Sequence, residues 1–176
     1  MDNLAVFDLD GTLWRENSHT DILNKYYHFK ISDNLIMKVF RNIFPNTYMS
    51  LLNRLFNRIP DGFVNDYRPK FKKAVQKIMK EYQSKSYKIV IISNAPKRII
   101  NRAAERLSVN GIQAPISEKN KIVSAMEYKR LAVISDNITD YNLMLLADEV
   151  HVVVNQHNSK FFEQNRLETM KFILAD

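Results

Sequence analysis

The stretch LAVFDLDGTLW, residues 4–14, sets four apolar residues directly ahead of two aspartates, Asp8 and Asp10, with Gly-Thr following at once. The apolar run is too short for a globular helix and shows no polar–apolar alternation, the pattern of a strand buried on both faces. In an extended strand residues i and i+2 point to the same side, so both carboxylates project where this strand ends. Gly11 is one of only three glycines in 176 residues, and it allows the sharp turn that Asp8 and Asp10 run into.

Working outward, β-branched runs recur at YKIVIIS (87–93), RLAVIS (130–135) and EVHVVVN (149–155). Helical patterns lie between them at 70–84, at 96–107 beginning with Pro96, at about 119–128 and at 140–147. Alternating strands and helices predict an α/β fold: a Rossmann-like parallel sheet with right-handed crossovers and helices on both faces. Residues 15–68 break that rhythm. The apolar patterns DILNKYYHF, NLIMKVFRNIF and YMSLLNRLFNRI read as helices, separated by turn or cap signals at Ser32-Asp33, Pro45-Asn46 and Pro60-Asp61-Gly62. The expected organisation is a core of residues 1–14 and 69–176, with 15–68 as a helical cap inserted after the first strand.

Composition narrows the function. There is no cysteine, which excludes disulfides, thiolate catalysis and Cys-ligated zinc. No signal-peptide core and no bilayer-length apolar run is present, so no membrane partner and a cytoplasmic location are expected. The net charge of +7 raises the question of nucleic acid. Much of the excess lies in 70–88, where Phe71, Val75, Ile78, Met79 and Tyr82 recur at helical spacing and place the lysines on the opposite, solvated face. No nucleic-acid module is recognisable, and nucleic acid is not an expected partner.

The second strand ends in Ser93-Asn94 and another in Asp136, with Asp140 one turn later. In parallel α/β sheets ligands bind at the carboxyl ends of the strands, so these polar groups converge with Asp8, Asp10 and Thr12 at one edge. Several carboxylates at one edge repel unless a cation lies among them. A hard cation with oxygen ligands suits them, and Mg²⁺ is the usual choice where phosphate is also bound. One carboxylate can act as a nucleophile towards phosphorus, and its neighbour two residues on can protonate the leaving oxygen. A hairpin reading of Asp10-Gly11 fails because TLWRENSH does not continue as an alternating strand. A calcium-loop reading fails because it would put Val6 and Asn17 at the first and last ligand positions.

With these residues in view, the chain resembles the haloacid dehalogenase-like hydrolases, in the phosphoserine phosphatase-like branch with a small helical cap. DLDGT (8–12) is similar to the first motif, SNAP (93–96) to the second and SDNITDYNLM (135–144) to the fourth; ADEVHVVVNQHNSKF (147–161) resembles the strand and loop that follow it. The resemblance implies Asp8 as nucleophile and Asp10 as general acid/base, with Thr12, Ser93 and Asn94 at the phosphate. It further implies Mg²⁺ on Asp8, Asp136 and the main-chain carbonyl of Asp10, with Asp140 in support. The third motif is a lysine, for which Lys119 fits better than Lys121 because Ile122, Val123 and Met126 follow with the family's helical spacing; Lys97 and Lys129 fit less well. Two positions depart from the pattern. Ser135 stands where the family commonly has glycine, and Asn17 stands where phosphoserine phosphatases carry a substrate-binding glutamate, which speaks against phosphoserine itself.

The expected activity is Mg²⁺-dependent hydrolysis of a small phosphorylated metabolite through an aspartyl-phosphate. Transfer to an acceptor other than water would use the same residues, and a non-catalytic binding protein on this fold would need none of them. Trp14, Arg15, Asn17 and His19 are the cap-proximal residues nearest a leaving group, each with packing or a solvated turn as the plainer reading.

Overall fold

The computed structural model describes residues 1–30 and 34–174; the break read at Ser32-Asp33 lies outside them. The chain forms two compact units, residues 1–15 with 70–176, and residues 16–69.

Among the described residues the first unit holds a six-stranded sheet: β1 (Leu4–Phe7), β2 (Lys88–Ser93), β3 (Asn110–Gln113), β4 (Leu131–Ser135), β5 (Glu149–Val154) and β6 (Met170–Leu174). Their order is β3-β2-β1-β4-β5-β6 and every pairing is parallel. This is the doubly wound order, in which connections run outward in both directions from β1 and β4. With right-handed crossovers, the connections on the two sides of that point fall on opposite faces of the sheet. The strands form for the reason their composition suggests. Leu4, Val6, Val90, Ile92, Leu131, Val133, Val150 and Val152 are all buried in one apolar cluster with Phe162, Leu143 and Met144, the continuous hydrophobic run that a covered parallel sheet requires.

The helices of this unit are α5 (Lys73–Ser84), α6 (Lys97–Leu107), α7 (Lys119–Ser124), α8 (Tyr141–Met144) and α9 (Ser159–Gln164). Their bounds depart from the sequence reading where backbone partners intervene. Helix α5 begins three residues late because Phe71 is bridged to Trp14, while the Lys72 N–H donates to the Leu13 carbonyl at 3.0 Å. Helix α7 stops at Ser124, where the Met126 N–H turns back to the Val123 carbonyl at 3.0 Å. The pattern at 140–147 becomes a 3₁₀ turn over Ile138–Asp140 followed by the single turn of α8. Strands β3 and β6 and helix α9 were not read from the sequence. β3 contains Asn110-Gly111, a pair whose intrinsic preference is for turns. Gly111 is instead needed for close packing, since a Cβ there would sit 2.8 Å from Ile100 Cγ2 and 2.9 Å from Ala104 Cβ on α6.

The second unit is helical: α1 (Ser18–Tyr27), α2 (Leu35–Ile43), α3 (Pro45–Phe56) and α4 (Asp61–Asp66). Asn17 caps α1 by accepting from the Thr20 N–H, and Asn34 caps α2 by accepting from the Met37 N–H. Pro45 opens α3 at its first position, where a missing N–H costs nothing. Ile22, Leu23, Tyr48, Leu52, Phe56, Ile59 and Val64 are buried. The His19 ring packs edge-on to Phe56 at 5.0 Å, and burial holds its imidazole below the usual pKa. Among the described residues no helix is long and apolar enough to cross a membrane.

Candidate active site

The sheet order reverses between β1 and β4, and the crevice outside the carboxyl ends of those two strands is where such folds bind ligands. The register Phe7↔Ile134 continues into a hydrogen bond from the Asp8 N–H to the Ile134 carbonyl, 2.9 Å. Asp8 is thereby fixed at the end of β1, one strand from Ser135 and Asp136. β2 flanks β1 on the other side in the register Phe7↔Ile91 and ends at the buried Ser93. The Ser93 hydroxyl accepts from the Ala95 N–H at 3.3 Å, and Asn94 is exposed.

One cation holds the centre together. Lys119, only 2% exposed, donates from Nζ to Asp8 Oδ1 at 2.8 Å and to Asp140 Oδ2 at 2.9 Å. Asp140 Oδ2 also accepts the Ser135 hydroxyl at 2.7 Å, while its buried Oδ1 has no hydrogen-bond partner. Lys121, Lys97 and Lys129 are exposed, so among the four candidate lysines only Lys119 is placed against the acidic residues. Burial pulls the Lys119 ammonium down, but the two carboxylates outweigh it and raise its pKa. Burial also pushes the Asp8 carboxyl up to about 7. Lys119 opposes that rise, and Asp140 and Asp136 add to it.

Asp136 is held from three directions. The Thr12 hydroxyl donates to Asp136 Oδ1 at 2.7 Å and accepts from the Asp136 N–H at 2.8 Å. The Thr12 hydroxyl, expected at the phosphate, is committed to Asp136, which leaves its N–H as the group for a phosphate. Asn158 Nδ2 donates to the Asp136 carbonyl at 2.6 Å and Asn155 Nδ2 approaches Asp136 Oδ2 at 3.4 Å. Burial raises the Asp136 carboxyl, opposed by the Thr12 hydrogen bond and by the charge of Lys72. Gly11 has φ +76°, and a Cβ at that position would lie 2.3 Å from Asp136 Oδ2. The turn after β1 and the end of β4 therefore touch at a position that tolerates only glycine. Asp10 is half-buried within this turn, bridged to Trp14.

Reasoning from sequence missed three members of this cluster. Asn155 and Asn158 lie in the VNQHN loop, whose similarity to the family's loop was the available signal. Lys72 is 6% exposed, and its Nζ donates to the Gly11 carbonyl. Helical periodicity over 70–84 places it with the solvated lysines, but the helix begins only at Lys73 and leaves Lys72 outside that pattern. Of the cap-proximal candidates, Asn17 is occupied as a helix cap and Trp14 packs edge-on against Phe71 at 6.3 Å. His19 is packed on Phe56, and Arg15 is exposed.

The donor set fits Mg²⁺. Among the described residues no three acidic or histidine groups form a ready-made cage. Mg²⁺ binds instead through one or two carboxylates, keeps several waters and takes the remainder from phosphate. Asp8, buried, and Asp136, half-buried, supply two carboxylates that repel each other, and a cation would relieve that repulsion.

A family model described as haloacid dehalogenase-like hydrolase matches residues 5–144. No curated protein matches the chain by sequence. Among solved structures, phosphoserine phosphatase in apo form superposes with a TM-score of 0.68 at 13% identity, covering 100% of this chain and 96% of that one. A phospho-aspartyl intermediate analogue of phosphoserine phosphatase gives 0.67 at 14%, covering 99% and 95%. A phosphoserine phosphohydrolase-like protein from Francisella tularensis subsp. tularensis SCHU S4 gives 0.64 at 20%, covering 97% and 95%. At such identities the superpositions establish a shared fold. With the family match spanning the acidic turn, the lysine and the β4 aspartates, the chain belongs to the haloacid dehalogenase-like hydrolases.

Proposed function

We propose that this chain is a Mg²⁺-dependent phosphohydrolase that cleaves a small phosphate monoester through an aspartyl-phosphate on Asp8. The observation that carries this reading is the buried bridge from Lys119 to Asp8 and Asp140. A carboxylate whose ionised form is held by a single lysine in a buried site is a desolvated oxygen nucleophile. Its Oδ1 takes the lysine, and Oδ2 is the oxygen assigned to in-line attack. Asp10, two residues on, protonates the departing alkoxide and later takes a proton from the attacking water. Lys119 and the polar groups at the end of β2, Ser93 and Asn94, hold the phosphoryl oxygens. Asp140 and Ser135 keep Lys119 aimed at Asp8. Asp8, Asp136 and the Asp10 carbonyl are the ligands assigned to Mg²⁺, which would neutralise charge on the transferring group. Residues 16–69 are assigned the selection of the leaving group. The superposed phosphoserine phosphatases support the reaction class, and Asn17, occupied as a cap, argues for a different ester.

Turnover of an aryl phosphate by the native chain and by Asp8→Asn, each with and without Mg²⁺, tests the reading. Mg²⁺-dependent release of phosphate that vanishes in the variant is the expected result. A folded native chain that neither turns over the ester nor takes up BeF₃⁻ with Mg²⁺ would remove the enzymatic reading.

A further inference from the structure

Lys72 sits where the structure should not favour a lysine. It is the N-cap residue of α5, a helix with no side-chain cap and no acid in its first turn. A cation there opposes the helix dipole, whose positive end prefers an anion. The side chain is nevertheless 6% exposed, and a buried ammonium is costly unless it is partnered. A local rule broken without local compensation marks a place where the wider site sets the residue.

The chain fixes this lysine from both sides. Phe71 is bridged to Trp14, the Arg15 N–H donates to the Lys70 carbonyl at 3.0 Å, and the Lys72 N–H donates to the Leu13 carbonyl at 3.0 Å. The segment returning to the sheet unit is thus paired along the residues that follow the acidic turn. From that position Lys72 Nζ reaches the Gly11 carbonyl. The Gly11–Thr12 peptide is planar, so fixing its carbonyl also fixes the direction of the Thr12 N–H. Thr12 in turn holds Asp136 through both of its hydroxyl hydrogen bonds, 2.7 and 2.8 Å. The charge of Lys72 acts on Asp136 as well.

We propose that Lys72 is a positioning residue that locks the turn after β1: by holding the Gly11 carbonyl it sets Thr12 and, through Thr12, Asp136 in register with Asp8. In this scheme it acts through Gly11 and Thr12. The effect on turnover rests on the phosphohydrolase reading above, whereas the effect on the turn does not.

The test compares the native chain with Lys72→Met, which keeps length and removes donor and charge, and Lys72→Arg, which keeps both. Two quantities are read: kcat and KM for an aryl phosphate at saturating Mg²⁺, and amide exchange of residues 8–14 in metal-free protein. Losing a hydrogen bond from a charged donor at the site is expected to lower kcat by about tenfold to a hundredfold. KM should change by less than about threefold, because no substrate contact is lost. Exchange at 8–14 should rise in Lys72→Met while β2 and α6 keep their protection, and Lys72→Arg should restore most of both. Unchanged exchange at 8–14 in Lys72→Met overturns the proposal, as does a rise spread evenly over the sheet unit or an arginine variant no better than the methionine one. If the native chain shows no turnover, the phosphohydrolase reading fails by itself, and the exchange comparison still decides the role of Lys72.

Discussion

Replacing Asp8 by asparagine should make the protein more stable while abolishing its chemistry. The Asp8 carboxyl titrates near 7 in the folded chain because burial, with Asp140 and Asp136 close by, disfavours its charge more than Lys119 favours it. In the unfolded chain it titrates near the ordinary 3.8. Between those values the native state binds more protons than the unfolded state, so this group's contribution to stability falls as pH rises from about 4 to 7 and stays low above. Titrating near 7 rather than 3.8 corresponds to a cost on the order of 4 kcal/mol at pH 8, at roughly 1.36 kcal/mol per pH unit. Asparagine keeps the shape, still accepts from Lys119 and carries no charge. Of that cost, about 3 kcal/mol should be recovered, or about 6–12 °C in Tm for a chain of this length. The assay is a pair of thermal melts in EDTA at pH 8 and pH 4. The gap should be several degrees at pH 8 and nearly close at pH 4, where the native carboxyl is protonated and the unfolded one only about half ionised. Mg²⁺ should narrow the gap at pH 8 by stabilising the native chain alone. A variant no more stable than the native chain at pH 8, or a gap independent of pH, would refute the account of a strained buried carboxylate.

Three further outcomes follow from the same geometry. Gly11→Ala should abolish turnover and Mg²⁺-induced stabilisation, because its Cβ would lie 2.3 Å from Asp136 Oδ2 at a φ of +76°; steady-state kinetics with a melt checks both. Lys119→Met should cost about 3–5 kcal/mol by leaving two buried carboxylates without their cation, and adding Asp8→Asn should restore part of it, which urea titration of the single and double variants would show. His151 accepts or donates at 3.0 Å to the Tyr82 hydroxyl, and burial holds its pKa below the ordinary 6.5 although Glu149 opposes this. The unfolded chain therefore binds the extra proton as pH falls through 6.5, and stability is lost there; His151→Gln should lose less than the native chain between pH 7.5 and 5.5 in matched urea titrations.

The central strands were legible because each is a short buried apolar run, rich in β-branched residues in β2, β4 and β5. β1, β2, β4 and β5 need no other signal. The edge strands were not. β3 contains Asn110-Gly111, whose turn chemistry is overridden by close packing on α6, and β6 has a single β-branched residue, Ile173, among Met170, Lys171 and Leu174, which suit a helix as well. At the site, Asp8, Lys119, Asp136 and Asp140 were readable because strand ends and a helix start bring them to one edge, and the structure joins them through Lys119, Thr12 and Ser135. Lys72 was hidden by its neighbours. In KFKKAVQKIMK the period of Val75 and Met79 is real, but the backbone pairing of Phe71 with Trp14 delays the helix and turns Lys72 inward. Such a pairing between residues nearly sixty positions apart leaves no trace in local periodicity.

The most direct test of the central claim is to locate the phosphoryl group during turnover. Native chain mixed with an aryl phosphate and Mg²⁺, quenched and reduced with borohydride, should yield homoserine at position 8 in the peptide spanning residues 4–14, and none in Lys119→Met or in a metal-free reaction. Turnover without any label at position 8, or a label on another carboxylate, would contradict the assignment of Asp8 as the nucleophile.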